Sequence, residues 1–375
     1  MSNMNTILFV SSIDKDALLG ELISRLSING GQYYRYYVLS GELKMYENGN
    51  CKVVIKGSKS SASRPKAILR ARKLIPLLKE VQIVHYHFID TLVPLIDFFI
   101  IRKKPLFKIA TVWGSDFYKA SGIKARIKSI LYRNVQTITF TNDNTRKVFL
   151  EHHVNLSVNF RTVRFGLSIL SNIDSQLNDY NSSKNRKNWN YREEDVVIAI
   201  GTNASPNQNH LKILSALNSL PENAKSNWRF IIPLGYPNVS QTYLNEIKEQ
   251  IKASHLENCR LDFDYYKGEQ LASYRLLPDV LIQLQTTDQF SGAMQETLFA
   301  KRQIITGSWL PYNLLVQKGI SFSLCNTFSE LPEILLNIIQ KPISESDRIK
   351  NKKIIRELSH WDEVFLSWNK LYTID

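Results

Sequence analysis

Short apolar runs that alternate with helical periodicity constrain this chain more than any other of its features. Thr6–Val10, Tyr33–Leu39, Cys51–Lys56, Ile83–His87, Lys108–Trp113, Thr137–Thr141 and Thr162–Phe165 read as strands, with amphipathic stretches such as Lys15–Ile28 and Arg64–Val81 between them. After an interruption the alternation resumes. Strands are expected at Val196–Ile200, Arg229–Pro233, Cys259–Phe263, Val280–Gln285 and Gln303–Thr306, and helices at Asn209–Leu220, Gln241–His255, Gly268–Leu277 and Gly292–Phe299. Apolar strands separated by helices imply mostly parallel sheets covered on both faces. The expected class is α/β, with two Rossmann-like doubly wound domains facing a central cleft. A length of 375 residues suits two such cores. The expected division is residues 1–170, a linker at 171–194 rich in Asn, Ser and Lys, a second domain at 195–355, and a C-terminal helix within 356–375 packing back on the first domain.

Charge is unevenly spread. Residues 1–170 hold 26 Lys+Arg against 11 Asp+Glu, a net of +15, so this half carries the whole excess of the +14 chain. Basic helices at Arg64–Lys79 and Lys124–Arg133 interleave cations with apolar residues. Such a face suits an anionic partner, either the inner membrane surface or a diphosphate lipid, or is simply a solvated basic face. No recognisable nucleic-acid motif accompanies it, so nucleic acid is not an expected partner. Cys51, Cys259 and Cys325 lie in no metal or redox spacing and read as small buried hydrophobes. The apolar stretch His87–Ile101 is shorter than the ~20 residues a bilayer span needs. The expected location is cytoplasmic, either free or peripheral on the inner face of the plasma membrane.

In open α/β sheets ligands bind beyond the carboxyl ends of strands, at helix N-termini. Five stretches fall there. Thr287-Asp-Gln-Phe-Ser-Gly-Ala-Met-Gln-Glu296 sets Asp288 eight positions before Glu296, with Ser291, Gly292 and Ala293 opening a helix between them. That helix start suits a diphosphate, Gly292 permits close approach, and Glu296 can accept hydrogen bonds from sugar or ribose hydroxyls. Ile200-Gly-Thr-Asn-Ala-Ser-Pro-Asn-Gln-Asn-His210 places Gly201, Asn203 and His210 on a turn into a helix. Ala110-Thr-Val-Trp-Gly-Ser-Asp-Phe-Tyr118 contributes Trp113, Gly114, Ser115 and Asp116, and Val84-His-Tyr-His-Phe88 contributes His87. The last stretch, Leu261-Asp-Phe-Asp264 followed by Tyr265, Tyr266, Lys267 and Gly268, holds an Asp-x-Asp pair. Such a pair binds a divalent metal in GT-A transferases, which are single-domain; that reading is set aside, and no metal or cofactor is expected.

The Asp288–Glu296 element resembles the acidic E-x7-E motif of retaining GT-B glycosyltransferases, family 4 in particular. The Gly201 loop is similar to that of the enterobacterial common antigen fucosamine-type transferase. The resemblance implies a nucleotide-diphosphate sugar donor held by the second domain, with Asp288 contacting the donor sugar, Glu296 the ribose, and the loop around Tyr265, Tyr266 and Gly268 framing the base. It implies an acceptor, a glycan or a polyprenyl-diphosphate-linked one, received by the first domain near Trp113, Gly114, Ser115, Asp116 and His87. Asp288 and Glu296, with Asp116 and His87, are the catalytic candidates. Two departures stand out. The first acid is Asp rather than Glu, and the Arg and Lys that hold the donor diphosphate are missing, leaving His210 or Lys267 as substitutes. The expected activity is sugar transfer in bacterial surface polysaccharide or lipopolysaccharide assembly, with retention at the anomeric carbon. The rivals are a UDP-sugar 2-epimerase of the same architecture, a basic membrane- or nucleic-acid-binding protein, and a transferase-like subunit without activity.

Overall fold

The computed structural model describes residues 6–11, 17–29, 36–38, 51–53, 64–102, 104–178, 181–288 and 290–373. They form two compact units. The first comprises Met1–Gly166 with Asp362–Asp375, and the second Leu167–Trp361.

The first unit is built on a seven-stranded sheet: β1 (Ile7–Ser11), β2 (Tyr36–Val38), β3 (Cys51–Val53), β4 (Ile83–His87), β5 (Phe107–Val112), β6 (Thr137–Phe140) and β7 (Asn159–Thr162). Their order is β3-β2-β1-β4-β5-β6-β7, and every pairing is parallel. All five residues of β4 are buried, and its alternation serves two different layers. Val84 and Tyr86 join a core with Leu8, Val10, Leu74, Ile96, Leu131 and Phe149. His85 and His87 point to the opposite face, among the rings of Phe9, Trp368 and, beside His85, Tyr372.

The second unit holds a six-stranded parallel sheet: β8 (Val196–Ile200), β9 (Trp228–Pro233), β10 (Cys259–Asp262), β11 (Val280–Gln283), β12 (Gln303–Gly307) and β13 (Ser323–Cys325), in the order β10-β9-β8-β11-β12-β13. Ile198 and Ile200 face one core, Val197 and Ala199 the other. Continuous apolar runs of this kind are what a sheet covered on both sides requires.

Several expectations need correction. Residues 171–194 are not an open linker. Helices Ile169–Asn178 and Ser182–Asn188 pack on the second unit, with Leu170 and Ile173 fully buried. The polar composition misleads because its side chains bond to protein rather than to water. Asn185 and Ser273 exchange hydrogen bonds, and Arg186 grips the Asp279 carboxylate through two contacts of 2.7 and 2.8 Å. The strand expected at Thr162–Phe165 lies earlier, at β7, because the register with β6 pairs Asn159–Thr162; Val163 and Phe165 follow in a loop. Arg64–Val81 is a short helix, Arg64–Ala71, continued by 3-10 turns into β4. The edge strand β13, three residues long, gave no apolar signal of its own. Of the expected strands Tyr33–Leu39 and Cys51–Lys56, only β2 and β3 lie within the described residues.

The final helix, Trp361–Leu371, carries Trp368, whose indole N–H donates to the Arg164 carbonyl at 2.8 Å, and Tyr372 follows it, its hydroxyl 2.7 Å from His85 Nδ1. No helix among the described residues is long and apolar enough to cross a membrane.

Candidate active site

In the second unit, four loops leave the carboxyl ends of β8, β9, β10 and β11. The turn after β11 is the most organised. Ser291 caps the helix Gly292–Phe299, its hydroxyl accepting from the Met294 N–H at 3.3 Å. Asp288 accepts from the Ser291 N–H at 2.6 Å and from the Tyr312 hydroxyl. Burial and the Asp288 carboxylate beside it push the Tyr312 phenol well above its usual range, so it stays protonated and can donate to Asp288. Phe290 is held at φ +90, a conformation costing roughly 1–3 kcal/mol for a bulky residue. Gln295 braces this strained turn by donating to the carbonyls of Phe290 and Ser291, and its own carbonyl accepts from Ser359. A helix start leaves its first N–H groups without intrahelical partners, so those of Gly292 and Ala293 remain directed out of this end.

Glu296 lies one turn further in, its side chain 11% exposed. A β-carbon placed on Gly292 would stand 3.5 Å from Glu296 Oε1, so the carboxylate sits directly beneath the glycine. Arg275, at the end of the helix Gly268–Arg275, donates to Glu296 Oε2 at 2.7 Å. This guanidinium is the cation at the helix start. Sequence reasoning missed it, because Arg275 lies 21 positions before its partner, on a different element.

The Gly201 loop is stitched to the β11 loop. Gly201 adopts φ +69, and a β-carbon there would meet His210 Nε2 at 2.7 Å. Gln208 accepts from the Thr202 N–H at 2.8 Å and donates to Gln285 at 2.7 Å. Asn209 donates to the Leu284 carbonyl at 2.7 Å, and Asn207 to the Thr287 carbonyl at 3.0 Å. Asn203 accepts from the Ser205 N–H at 2.9 Å and so shapes its own turn. His210 is fully buried, 3.1 Å from the Tyr243 hydroxyl, and burial lowers its pKa to about 4. The expectation that it replaces a diphosphate-binding cation is therefore corrected: at neutral pH it carries no charge. Lys267 is exposed, its ammonium 5.2 Å above the Tyr265 ring.

Asp262 of the Asp-x-Asp pair accepts from the Tyr266 hydroxyl at 3.0 Å and pairs with Arg260 at 3.3 Å. Tyr266 also rims a groove of about 740 Å³ between the helices Ser182–Asn188 and Gly268–Arg275, with Asn188, Trp189, Asp264 and Ser273. This hollow lies along the flank of the Gly268 helix rather than at the Gly292 turn.

In the first unit the loops after β4 and β5 are joined by Asp116. Its carboxylate accepts from the backbone N–H groups of Ile89 (3.1 Å), Trp113 (3.0 Å) and Gly114 (3.0 Å). Burial raises its pKa, opposed by those bonds and by Lys128, whose ammonium donates to the Asp116 carbonyl. Asp116 therefore holds two loops together. Gly114 turns the chain at φ +104 and caps a short helix in which only the backbone of Ser115 is described. Trp113 is sandwiched between Phe88 and Phe165, at centroid distances of 4.2 and 4.4 Å. His87 is fully buried, with no hydrogen-bond partner on either ring nitrogen, and burial lowers its pKa to about 3. Its neighbour His85, 4.0 Å away, is bonded on both sides, to Tyr372 and Thr111. A buried imidazole without partners forfeits free energy, roughly 1–3 kcal/mol per unmade bond, and His87 is the atypical member of the pair.

The family model described as 4-alpha-L-fucosyltransferase glycosyl transferase group 56 matches residues 79–267, half of the chain. The chain belongs to this family. This group 56 glycosyltransferase also shares its architecture with solved structures. A glycosyltransferase from Rickettsia africae superposes with a TM-score of 0.75 at 14% identity, covering 99% of this chain and 98% of that one. The HepE protein of Anabaena, in complex with UDP, gives a TM-score of 0.72 at 14% identity over 98% and 99% of the chains. Sucrose-phosphate synthase from Thermosynechococcus elongatus gives 0.66 at 12% identity over 98% of each. At such identities the likeness speaks to fold, and the fold is GT-B. Comparison with curated sequences gives no match. The group 56 protein is a glycosyltransferase.

Proposed function

We propose that this group 56 enzyme moves a fucose-type sugar from a nucleoside diphosphate to a glycan or polyprenyl-diphosphate-linked acceptor in bacterial surface polysaccharide assembly, with retention at the anomeric carbon. The sugar class follows the family description, and the similarity to UDP-bound HepE supports a pyrimidine nucleotide. The role in surface polysaccharide rests on the Gly201 loop, and retention on the Asp288–Glu296 spacing.

One observation carries the reading. The N–H groups at Gly292 and Ala293, the Glu296 carboxylate and the Arg275 guanidinium converge on one helix turn. The N–H groups and the cation favour the departing diphosphate, and the carboxylate can accept from ribose hydroxyls. In the reaction the bond from the anomeric carbon to the diphosphate oxygen breaks, and the acceptor oxygen bonds the same carbon on the same face. The acceptor proton passes to the leaving diphosphate. Stabilising that leaving group is then the enzyme's main electrostatic task.

A thermal-shift panel of UDP, TDP, GDP and CMP tests the site. One pyrimidine diphosphate should raise the melting temperature by mass action, and Glu296→Gln should remove most of that shift. An undiminished shift in the variant would refute the site assignment. Anomeric coupling in the product, read by NMR, decides retention, and turnover of the nucleotide sugar without acceptor would favour an epimerase.

A further inference from the structure

We infer that the helical layer covering one face of the first unit's sheet is a docking surface for an anionic lipid bilayer. The helix Gly122–Tyr132 is apolar on two sides. Leu131 and Tyr132 are buried, as the fold requires. Ile123, Ile127 and Ile130, spaced i, i+4, i+7, form a second stripe that the fold leaves outside, with Ile123 74% and Ile130 46% exposed. Lys124, Arg126 and Arg133, all exposed, border this stripe.

The stripe continues across neighbouring elements. The helix Leu92–Ile96 packs beside both Gly122–Tyr132 and Arg64–Ala71, and runs into the turn Asp97–Ile101. That turn exposes Phe98 and Phe99, at 44% and 63%, with the Arg102 guanidinium 5.2 Å over the Phe98 ring. Leu69 and Ile75 add to the same layer, next to exposed Arg70, Arg72 and Lys73.

Charge selects the occupant. Residues 64–133 hold 15 Lys+Arg and 4 Asp+Glu, a net of +11. Of the four acids, Asp97 is buried on Lys108 and Asp116 is engaged by loop amides, so only Glu80 and Asp90 are exposed. Large apolar side chains ringed by long cationic ones match an interface in which the former enter the acyl boundary and the latter meet lipid phosphates. The core of a protein interface is depleted of Lys, unlike this patch, and duplex nucleic acid gains little from bare Ile and Phe. The inference rests on the transferase reading only for its purpose, presentation of a lipid-linked acceptor; the surface chemistry stands without it.

Co-sedimentation of the full chain with vesicles of phosphatidylcholine, with or without phosphatidylglycerol, is the test. Binding should require phosphatidylglycerol and weaken at least tenfold on moving from low to near-molar salt, as the Debye length contracts from ~10 to ~3 Å. The pairs Ile123→Ser with Ile130→Ser, and Phe98→Ser with Phe99→Ser, should each weaken it by tenfold or more. Both should keep the wild-type melting temperature and nucleotide-induced shift, which separates loss of docking from loss of fold or of donor binding. Absence of binding to anionic vesicles, or equal binding by the variants, overturns the inference. So does a dimer that these substitutions dissociate, or duplex DNA binding that they abolish.

Discussion

Arg275 Nε stands 2.7 Å from Glu296 Oε2, and the two side chains are only 14% and 11% exposed. A pair this enclosed is costly to break from one side, because the remaining charge stays buried. Arg275→Met should therefore destabilise the protein by about 3–5 kcal/mol in urea titrations and abolish the nucleotide-induced shift. Glu296→Gln, which keeps a hydrogen-bonding group, should cost less stability and yet lose as much nucleotide affinity. Equal stability losses in the two variants would deny Glu296 any role beyond pairing.

Tyr312 is the second support of the same turn. Its hydroxyl donates to Asp288 and accepts from Gln283 at 2.8 Å. Tyr312→Phe strips both groups of a partner in a buried setting, at about 1–3 kcal/mol. The Ser291 turn should loosen with it. Steady-state kinetics should show KM for the donor rising more than kcat falls.

Gly201 has no room for a side chain. Gly201→Ala combines φ +69 with a β-carbon 2.7 Å from His210 Nε2. Strain alone costs about 1–3 kcal/mol, and displaced His210 adds to it. Differential scanning calorimetry should record a fall of several degrees, and Gly201→Ala with His210→Ala should recover part of it.

Acid should unfold the protein earlier than carboxylate titration alone would. His87 and His210 have folded pKa values of about 3 and about 4, both lowered by burial from the 6.5 of an exposed imidazole. His85 is lowered as well, first by burial and then by its neighbour His87. The unfolded chain binds protons that the folded one refuses, so stability is full above pH 6.5 and declines as pH falls below it. At pH 5 His87 and His210 should each cost about 2 kcal/mol. Urea melts at pH 7.5 and 5.0 measure the slope, and His87→Asn should flatten it by roughly one proton. An unchanged slope in that variant would mean that His87 is protonated within the fold.

Much of the architecture was legible because parallel strands buried on both faces write themselves as unbroken apolar runs, as at Val196–Ile200 and Ile83–His87. The Gly292–Phe299 helix was equally plain, since Ser291 and Gly292 mark its start. What escaped was whatever depends on partners distant in sequence. The Asn-rich stretch after Ser168 looked like solvent-facing chain until Asn185 and Arg186 met Ser273 and Asp279. Arg275, which pairs with Glu296, lies on another helix 21 positions earlier. His210 gave the reverse error, a polar residue in a polar loop that turns inward to Tyr243.

Because Asp362–Asp375 belongs with Met1–Gly166, the first unit is threaded discontinuously. His85 must wait for Tyr372, 287 positions downstream, before its Nδ1 finds a partner. On the ribosome, the later-synthesised middle unit can therefore complete its sheet before the earlier one is closed. The nascent amino-terminal half would spend that interval with Phe9 and both neighbouring imidazoles uncovered, a state that chaperones or cold-sensitive synthesis should reveal.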